Sequence, residues 1–412
     1  MPDNSSLGDD IHREIRVNGR ITFARYMYLA LYAPDKGYYS GSLSGFNGKD
    51  YVTSPLAHPV FGALLARQIY QIWRIMGSPE GFLIIEQGAG NGTLACDVLE
   101  YLERAAPLFY KCLTYLAVDC TLSPFDFPGR HPNLQYLRSY GLPVRGGIGC
   151  VISNELIDAY PVHRFRVDRG VLTESYVQIN SEGDFVEIFD EPSTDLILER
   201  LQDLNISLVD GLNGEMNLYI DDWASTVSSS LDSGAVITID YGDAAFSLYN
   251  RPWGTLQTYY LHTDAGSPFR RVGLQDITAH ADFTSLIHYG QRYGLRYEGL
   301  IEQGSFLRNL GWENFFEAVA WSNGSNRELL SSQIGLRHLV ESTHLGALKV
   351  LVQSKNLKIQ DRLWGLSRQE MMDGFGEDER LEVPSMGSGH VSYPGIEYSS
   401  GIGEDWSYER FL

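Results

Sequence analysis

Cysteine and basic residues are scarce in this chain of 412 residues, and long apolar runs are missing. Its four cysteines, Cys96, Cys112, Cys120 and Cys150, form no Cys-x-x-Cys pair and lie apart from the histidines. Neither a disulfide framework nor a metal site is therefore expected. The net charge is −20 and no block of lysine or arginine offsets it, which argues against a nucleic-acid partner bound through its phosphates.

Targeting and membrane segments are also missing from the pattern. No apolar run approaches the roughly 20 residues that a membrane-spanning helix needs, so no membrane span is expected. The amino terminus is polar and acidic, unlike a secretory signal or an arginine-rich and serine-rich transit peptide. We therefore expect a cytoplasmic protein, with the mitochondrial matrix as the alternative.

The most informative segment is a glycine-rich turn between a buried strand and a helix. Residues 82–94 read FLIIEQGAGNGTL, an apolar run that ends in an acid and passes through Gly88, Gly90 and Gly92. Glycine lets a ligand lie against the backbone and adopts a positive φ easily. The apolar spacing after Thr93 indicates a helix whose first N–H groups face the same turn. This pattern is typical of the first unit of a nucleotide-binding α/β sheet, although a turn that binds no ligand is an alternative.

The spacing of the glycines separates two kinds of nucleotide. A dinucleotide fingerprint has the form G-x-G-x-x-G, and Thr93 stands where its third glycine would fall. Glu86 precedes the first glycine by two residues, and its carboxylate would repel a pyrophosphate. The same carboxylate suits S-adenosylmethionine, which has a positively charged sulfur, an amino group and no phosphate. The segment therefore favours an S-adenosylmethionine-dependent methyltransferase over a nicotinamide oxidoreductase.

A second carboxylate ends the strand predicted at residues 113–119. Asp119 can accept both ribose hydroxyls of an adenosine there, as acids do in dinucleotide folds. The alternative makes this segment a helix N-cap, a role that Thr121 and Ser123 would also fit.

Strands and helices alternate from residue 78 onward, which predicts a Rossmann-like, doubly wound α/β sheet of the class I methyltransferase type. We expect an N-terminal helical region with lid loops over residues 1–77 and the methyltransferase domain over residues 78–356. Short alternating runs predict an antiparallel β segment inserted at about residues 162–215. Residues 366–412 hold ten acids, three arginines and no lysine, and we expect this tail to be disordered.

Three polar residues, Asn154, Glu155 and Asp158, follow the strand predicted at residues 148–153, where open α/β sheets place a reacting group. On a short helix, Glu155 and Asp158 would share one face. Paired carboxylates can hold a guanidinium in a bidentate fork, which would suit arginine methylation by direct attack on the sulfonium methyl. The alternative is that Asn154 and Glu155 only cap that helix.

A helix is also predicted to begin near Asp276, where it would bring His280 and Asp282 to the same crevice. Asp276 could instead be an N-cap and His280 an exposed helix residue. A lid over the ligand is predicted from two pairs of loop residues, Tyr38 with Tyr39 and Thr53 with Ser54. Such aromatic pairs also occur in loops simply because they pack together.

Several motifs carry a resemblance to a known family. They include Gly37-Tyr-Tyr39, Thr53-Ser-Pro55, Glu86-Gln-Gly-Ala-Gly-Asn-Gly-Thr-Leu94, Asn154-Glu155, Asp240-Tyr-Gly242 and Gln275-Asp-Ile-Thr-Ala-His280. Together they resemble the MidA family, class I methyltransferase-like proteins related to the mitochondrial arginine methyltransferase that assists complex I assembly. The resemblance runs in order over roughly residues 10–356. One departure is Leu56, where the family usually has an acid after Thr-Ser-Pro.

The resemblance implies S-adenosylmethionine as cofactor and a protein arginine as methyl acceptor, in the mitochondrial relatives on a core subunit of complex I. We therefore expect a protein substrate, such as a respiratory complex I subunit or its homologue, and a homodimer as one assembly state. The competing hypothesis is an assembly factor that binds S-adenosylmethionine and transfers no methyl. The cofactor-binding candidates are Glu86, Gly88, Gly90, Gly92, Asp119 and Asn154. The catalytic candidates are Glu155, Asp158, Asn154 and His280.

Overall fold

The computed structural model describes residues 6–41, 52–121, 131–260, 263–320, 325–360, 362–367, 383–387, 389–391 and 393. The helices are α1 (Leu7–Asn18), α2 (Phe23–Tyr32), α3 (Ser54–Ala57), α4 (Val60–Ile75), α5 (Thr93–Ala105), α6 (Pro107–Cys112), α7 (Leu196–Asp203), α8 (Ile220–Ser230), α9 (Ala245–Tyr249), α10 (Phe283–Arg292), α11 (Gln303–Asn309), α12 (Trp312–Ala320) and α13 (Asn326–His338). Short 3₁₀ helices span Leu345–Ala347 and Trp364–Leu366. The strands are β1 (Ile21–Thr22), β2 (Phe82–Gln87), β3 (Leu113–Asp119), β4 (Leu134–Arg138), β5 (Gly147–Asn154), β6 (His163–Asp168), β7 (Val171–Ile179), β8 (Phe185–Asp190), β9 (Asn213–Met216), β10 (Leu231–Asp240), β11 (Gly242–Asp243), β12 (Gln257–Tyr260), β13 (Thr263–Asp264), β14 (Asp276–Thr278), β15 (Ala281–Asp282), β16 (Arg296–Glu302) and β17 (Lys349–Lys355).

A seven-stranded sheet in the order β16–β17–β10–β5–β2–β3–β4 forms the centre of the fold. The strands from β4 to β10 pair in parallel, and β17 is antiparallel to both of its neighbours. The chain runs outward from β2 through β3 to β4, and then returns to the other side of β2 with β5. In such a sheet, ligands bind in the crevice beyond the carboxyl ends of the strands at the point where the order reverses. Here that point lies between β2 and β5.

Both faces of this sheet are covered, which explains why its strands are almost continuously apolar. Neighbouring residues of one strand enter opposite cores, as Ile84 and Ile85 of β2 do. The first core packs against α4 and α5, and the second packs against α8 and α10. The doubly wound α/β fold expected from the sequence is confirmed.

The inserted segment forms a second, antiparallel sheet in the order β1–β7–β6–β9, with β8 paired to β7. Its edge strand β1 comes from the N-terminal region, so the helices α1 and α2 are joined to the insertion. Thr22 is the N-cap of α2, because its hydroxyl accepts a hydrogen bond from the Arg25 N–H at 3.1 Å. The N-terminal region and the insertion therefore share one β-sheet.

Two local predictions are wrong. No helix begins near Asp276, because residues 276–278 form β14, which pairs with β12. The helix begins at Phe283, and its N-cap is Asp282, whose carboxylate accepts from the Ser285 N–H at 3.1 Å. No helix follows β5 either: Glu155 has a positive φ of 51°, and residues 155–160 form turns. Both errors have one cause, since polar capping residues also terminate strands in tight turns.

Part of the predicted acidic tail is ordered against the domain. The Val391 N–H donates to the Leu56 carbonyl at 2.8 Å, and the His390 Nε2 lies 2.9 Å from the Asp97 carboxylate on α5. The disorder expected over residues 366–412 is therefore wrong for these residues. The rest of that range, apart from residues 366–367, 383–387, 389 and 393, lies outside the described residues. Within the described part of the chain, no helix is both long enough and apolar enough to cross a membrane.

A test of the fold comes from the close approach of β5 to its neighbours. A Cβ on Gly149 would lie 1.8 Å from the Leu83 carbonyl oxygen, so Gly149→Ala must displace a central strand. We expect the free energy of unfolding to fall by more than about 2 kcal/mol in a denaturant titration. The control is Gly8→Ala in α1, where the added Cβ meets only the Ser6 hydroxyl at 3.6 Å and should leave stability unchanged or slightly raised. Equal stability of the two variants would contradict the described sheet register.

Candidate functional site

A cavity of about 460 Å³ opens at the carboxyl ends of β2, β3 and β5. It reaches from the glycine turn at one end to Asp276 and His280 at the other. Its volume lies in the range that suits small ligands and cofactors. The switch point of the central sheet therefore carries a site, where the parallel topology places it.

The glycine turn is fixed to the end of β3 through Asp119. The Gly90 N–H donates to one oxygen of the Asp119 carboxylate at 2.9 Å, and the N–H and hydroxyl of Thr121 both donate to the other oxygen at 2.9 Å. Gly88 and Gly90 have φ values of 78° and 52°, which glycine adopts without strain. These bonds close a turn between Asp119 and Thr121. No helix begins in the described residues up to residue 121, so they give no support to the interpretation of this segment as a helix N-cap. Ser123 lies outside the described residues.

The predicted glycines do not all face the cavity. Gly88 and Gly90 line it, whereas Gly92 is the N-cap of α5 and donates its N–H to the Ala89 carbonyl at 2.8 Å. Gly92 has a φ of 78°, so it shapes the turn that presents the other two.

Glu86 lies beneath the turn and is 3% exposed. Burial raises the pKa of its carboxyl to about 8, and the nearby charge of Asp119 adds to this. The Tyr115 hydroxyl donates to the carboxylate at 2.8 Å, which partly opposes the rise in pKa. A buried acid of this kind is stabilised as a carboxylate by a cationic ligand.

One side wall of the cavity was not foreseen from the sequence. The Trp223 indole N–H donates to the Gln87 side-chain carbonyl at 3.0 Å, and the Gln87 amide donates to the Tyr160 hydroxyl at 3.3 Å. These residues come from β2, α8 and the turn after β5, and all three line the cavity. Nothing in their local sequence marks them, because only the tertiary packing brings them together.

At the far end, a buried acid shapes the turn after β5. Asp240 is fully buried at the end of β10, and one oxygen of its carboxylate accepts from the N–H groups of residues 156, 157 and 158 at 3.1, 2.8 and 3.4 Å. Asp240 does not line the cavity. Its role is to hold the turn that carries Glu155 and Asp158.

Glu155 links this turn to the N-terminal lid. Its carboxylate accepts from the Ser54 N–H at 3.1 Å and from the Asn154 amide at 3.0 Å. Asn154 lines the cavity, and its buried side-chain carbonyl oxygen has no hydrogen-bond partner among the described atoms. An acceptor in this position fits a ligand ammonium group. Leu56 also lines the cavity, as expected for the loop that carries it.

Three carboxyl groups crowd this end of the cavity. Burial raises the pKa of Glu155 to about 8, and the charge of Asp158 contributes. Burial and the charges of Asp240 and Asp276 raise the pKa of Asp158 well above its usual range. The Tyr39 hydroxyl, from the predicted lid, donates to the Asp276 carboxylate at 2.9 Å. Glu155 and Asp158 are therefore brought together as predicted, although by a turn and not by a helix.

His280 lines the cavity but is not on a helix, so the exposed-helix interpretation is wrong. Its Nδ1 lies 3.3 Å from an Arg251 guanidinium nitrogen. Burial and the Arg251 charge lower the pKa of His280 to about 4, which keeps the ring neutral at physiological pH. Asp282 does not reach the cavity, because it caps α10 and accepts from the Tyr249 hydroxyl at 3.0 Å.

The lining of this cavity selects for a ligand of one charge type. It includes six acids, Glu86, Asp119, Asp222, Glu155, Asp158 and Asp276, and its described residues include no lysine or arginine. No described group of three or more His, Cys, Asp or Glu side chains is arranged to hold a metal ion. The site fits a ligand with a positive charge, an amino group and hydroxyls, and it does not fit a phosphate.

Comparison with known proteins agrees with this chemistry. Residues 64–124 and 128–301 match the model of a family described as “Putative S-adenosyl-L-methionine-dependent methyltransferase”. The chain is 27% identical over 381 residues to the mitochondrial protein arginine methyltransferase NDUFAF7 homolog of Drosophila melanogaster, covering 83% of each protein. It is 25% identical over 325 residues to the human mitochondrial protein arginine methyltransferase NDUFAF7, covering 72% of this chain and 71% of that protein.

A crystal structure agrees as well. A Burkholderia thailandensis protein described as a “likely methyl transferase”, with S-adenosyl-homocysteine bound, is 30% identical to this chain. The TM-score is 0.76, and the match covers 88% of this chain and 94% of that one. The curated relatives are named as mitochondrial, which fits the matrix alternative and does not support the cytoplasmic expectation. The family model covers more than half of the chain and the MidA-type resemblance is confirmed. The chain therefore belongs to this family of S-adenosyl-L-methionine-dependent methyltransferases.

Proposed function

We propose that this methyltransferase is a protein-arginine N-methyltransferase of the complex I assembly type. One observation carries the proposal: a single cavity joins the glycine turn and Asp119 to the carboxyl cluster of Glu155, Asp158 and Asp276. The first end suits an adenosine-containing cation, and the second suits a guanidinium. A cofactor and an acceptor could therefore meet in one acid-lined space.

The cofactor end is assigned from the free acceptors of its side chains. The Asp119 carboxylate offers about four acceptor positions, and Gly90 and Thr121 use three of them. The position that remains, on the oxygen hydrogen-bonded to Gly90, can accept a ribose hydroxyl. The unpartnered carbonyl of Asn154 and the buried carboxyl of Glu86 supply the acceptor and the negative charge that a cationic group needs. Gly88 and Gly90 let the ligand approach the backbone, and Gly92 sets the turn. When bound, S-adenosylmethionine supplies a methyl group on a positively charged sulfur.

The acceptor end is assigned from its proton chemistry. The raised pKa values of Glu155 and Asp158 mean that one or both carry a proton at neutral pH in the free protein. A guanidinium stays charged and favours the ionised carboxylates, so its entry displaces those protons. The ionised pair then holds the guanidinium, orients one nitrogen and takes up the proton that this nitrogen releases on methylation. His280 is too weak a base for that task. Because a guanidinium has no acceptor atom, we assign the neutral His280 N–H to donate to a backbone carbonyl of the acceptor polypeptide.

The acceptor, assembly and location are further proposals. The relatives are named for protein arginine, and the family resemblance implies a subunit of respiratory complex I or its homologue. We propose that class of acceptor, together with a homodimer that sedimentation would detect and a location that cell fractionation would assign. The second candidate function is a factor that binds S-adenosylmethionine without transfer. It is favoured by Leu56, an apolar residue in the cavity wall where the family has an acid.

The cofactor assignment is tested by replacing Asp119. Asp119→Ala removes the ribose acceptor and frees the Gly90 N–H, so S-adenosylmethionine should bind at least about tenfold more weakly in calorimetric titration. Asp184→Ala, an exposed acid in a hairpin turn far along the chain, should bind like the wild type. Absence of heat at millimolar ligand for the wild type, or an unchanged affinity in Asp119→Ala, would contradict the assignment.

The acceptor assignment is tested by Glu155→Gln, which keeps the shape and removes the charge. We expect transfer of labelled methyl groups to a cell lysate to fall roughly a hundredfold, with affinity for S-adenosylmethionine within about threefold of wild type. Glu103→Gln, the same change at an exposed position of α5, is the control. Mass spectrometry of the labelled protein identifies the methylated residue. Wild-type binding without any transfer would instead support the binding factor.

The pH profile provides an independent test. Because a carboxyl must be ionised to hold the guanidinium, and the pKa of Glu155 is about 8, the ionised fraction rises with pH. The value of kcat/KM for the acceptor should therefore increase between about pH 6 and 8, by up to roughly tenfold per pH unit. The rise should be shallower in Glu155→Gln than in the wild type. A flat wild-type profile would show that no buried acid controls acceptor binding.

A further inference from the structure

Two large aromatic side chains lie exposed on one short segment of the chain, residues 246–253. Trp253 is 91% exposed, and Phe246 on α9 is 75% exposed. We call this pair the aromatic rim. Exposed tryptophan and phenylalanine on a rigid surface are typical of sites that bind another molecule, since they bury much apolar area on contact.

The turn that presents Trp253 is rigidly held. Gly254 has a φ of 70°, and a Cβ there would lie 2.3 Å from the buried Glu215 carboxylate. The same carboxylate accepts from the N–H and the hydroxyl of Thr255 at 2.7 and 3.0 Å. Phe246 is held similarly, because the residues around it on α9, Leu248 and Tyr249, are buried in the core of the insertion. The backbone segments that carry the two exposed rings are therefore held in place by buried contacts.

The backbone segment that carries Trp253 contacts a residue of the cavity wall, His280. The His280 N–H donates to the Thr255 hydroxyl at 3.1 Å, and Arg251 contacts the His280 ring at 3.3 Å. Arg251 and Thr255 each lie two residues from Trp253, a reach of about 7 Å of chain. Because His280 lines the cavity, these two contacts connect the backbone on either side of Trp253 to the cavity wall.

We propose that the aromatic rim docks the acceptor polypeptide, by binding apolar side chains roughly two to four residues from the methylated arginine. This inference rests on the proposed arginine acceptor and specifies its sequence context. Charge complementarity sets the guanidinium in the acid-lined cavity, and the rim then supplies the apolar contact that fixes the flanking chain. A free arginine would gain nothing from the rim, so the rim favours a polypeptide.

The test uses short synthetic peptides in a two-by-two design, with binding measured by fluorescence polarisation in the presence of S-adenosyl-homocysteine. The central residue is arginine or its uncharged analogue citrulline, and the flanking residues are leucine or serine. We expect the leucine-flanked arginine peptide to bind at least about tenfold more tightly than the serine-flanked one. In the double variant Phe246→Ser/Trp253→Ser, the affinities for the leucine-flanked and serine-flanked peptides should differ by no more than about twofold. Trp253→Phe should retain most of the ratio.

The controls separate the rim from the rest of the site. Leu108→Ser removes an equally exposed apolar side chain at the opposite, amino end of β3 and should keep the ratio. Affinity for S-adenosyl-homocysteine should be the same in all variants. A wild-type ratio near one, or a ratio retained in the double variant, would overturn the proposal.

Two further arms test a different acceptor and a different occupant of the rim. If citrulline and arginine peptides bind equally while the leucine preference persists, the arginine acceptor fails and the docking role of the rim stands. The second arm measures sedimentation with vesicles of phosphatidylcholine and phosphatidylglycerol. Sedimentation that depends on the rim, without any peptide preference, would show a lipid surface as the occupant and overturn the proposal.

Discussion

The end of the cavity that we propose for the acceptor depends on one buried carboxylate, that of Asp240. Asp240 gathers the backbone N–H groups of residues 156–158, and its other oxygen accepts from the Tyr241 N–H at 2.8 Å. Without it, buried backbone donors would have no partner, which proteins rarely tolerate. The turn that Asp240 holds joins the ends of β5 and β10 and lets Glu155 take its left-handed conformation. From there Glu155 contacts the Ser54 N–H of the lid, so the geometry of the site follows from this anchor.

The same anchor adds a buried acid to a region that already contains several. Burial raises the pKa of Asp240 to about 8, and the charge of Glu155 contributes. Neighbouring carboxyl groups of low exposure cannot all be ionised unless a cation joins them. The raised pKa values, the lack of lysine and arginine among the described lining residues and the positive charge of S-adenosylmethionine thus fit one electrostatic arrangement. A site of this kind releases protons when its ligands bind.

Segments that are far apart in the chain complete the walls of the cavity. The N-terminal region contributes the Tyr32 hydroxyl, which donates to the Ala159 carbonyl at 2.9 Å, and Tyr39, which contacts Asp276. The pairing of β1 with β7 fixes these helices to the inserted sheet, and the insertion in turn supports the turn at Gly254 through Glu215. In the proposed function, the central sheet binds the cofactor, whereas the additions around the sheet receive the acceptor.

The sequence by itself determined the parts whose chemistry is local. Apolar runs and the glycine spacing predicted β2, β3 and the turn between β2 and α5, because a strand followed by such a turn has few alternatives. Asp119 and the pair Glu155 and Asp158 were predicted as site residues because they lie at or just after strand ends, and all three line the cavity. Only the tertiary structure decided that Asp282, and not Asp276, caps α10, since an acid before a strand and an acid before a helix look alike in sequence. It also decided that Gly92 faces away from the cavity and that Gln87, Tyr160 and Trp223 form its wall, because contacts between distant segments leave no local pattern.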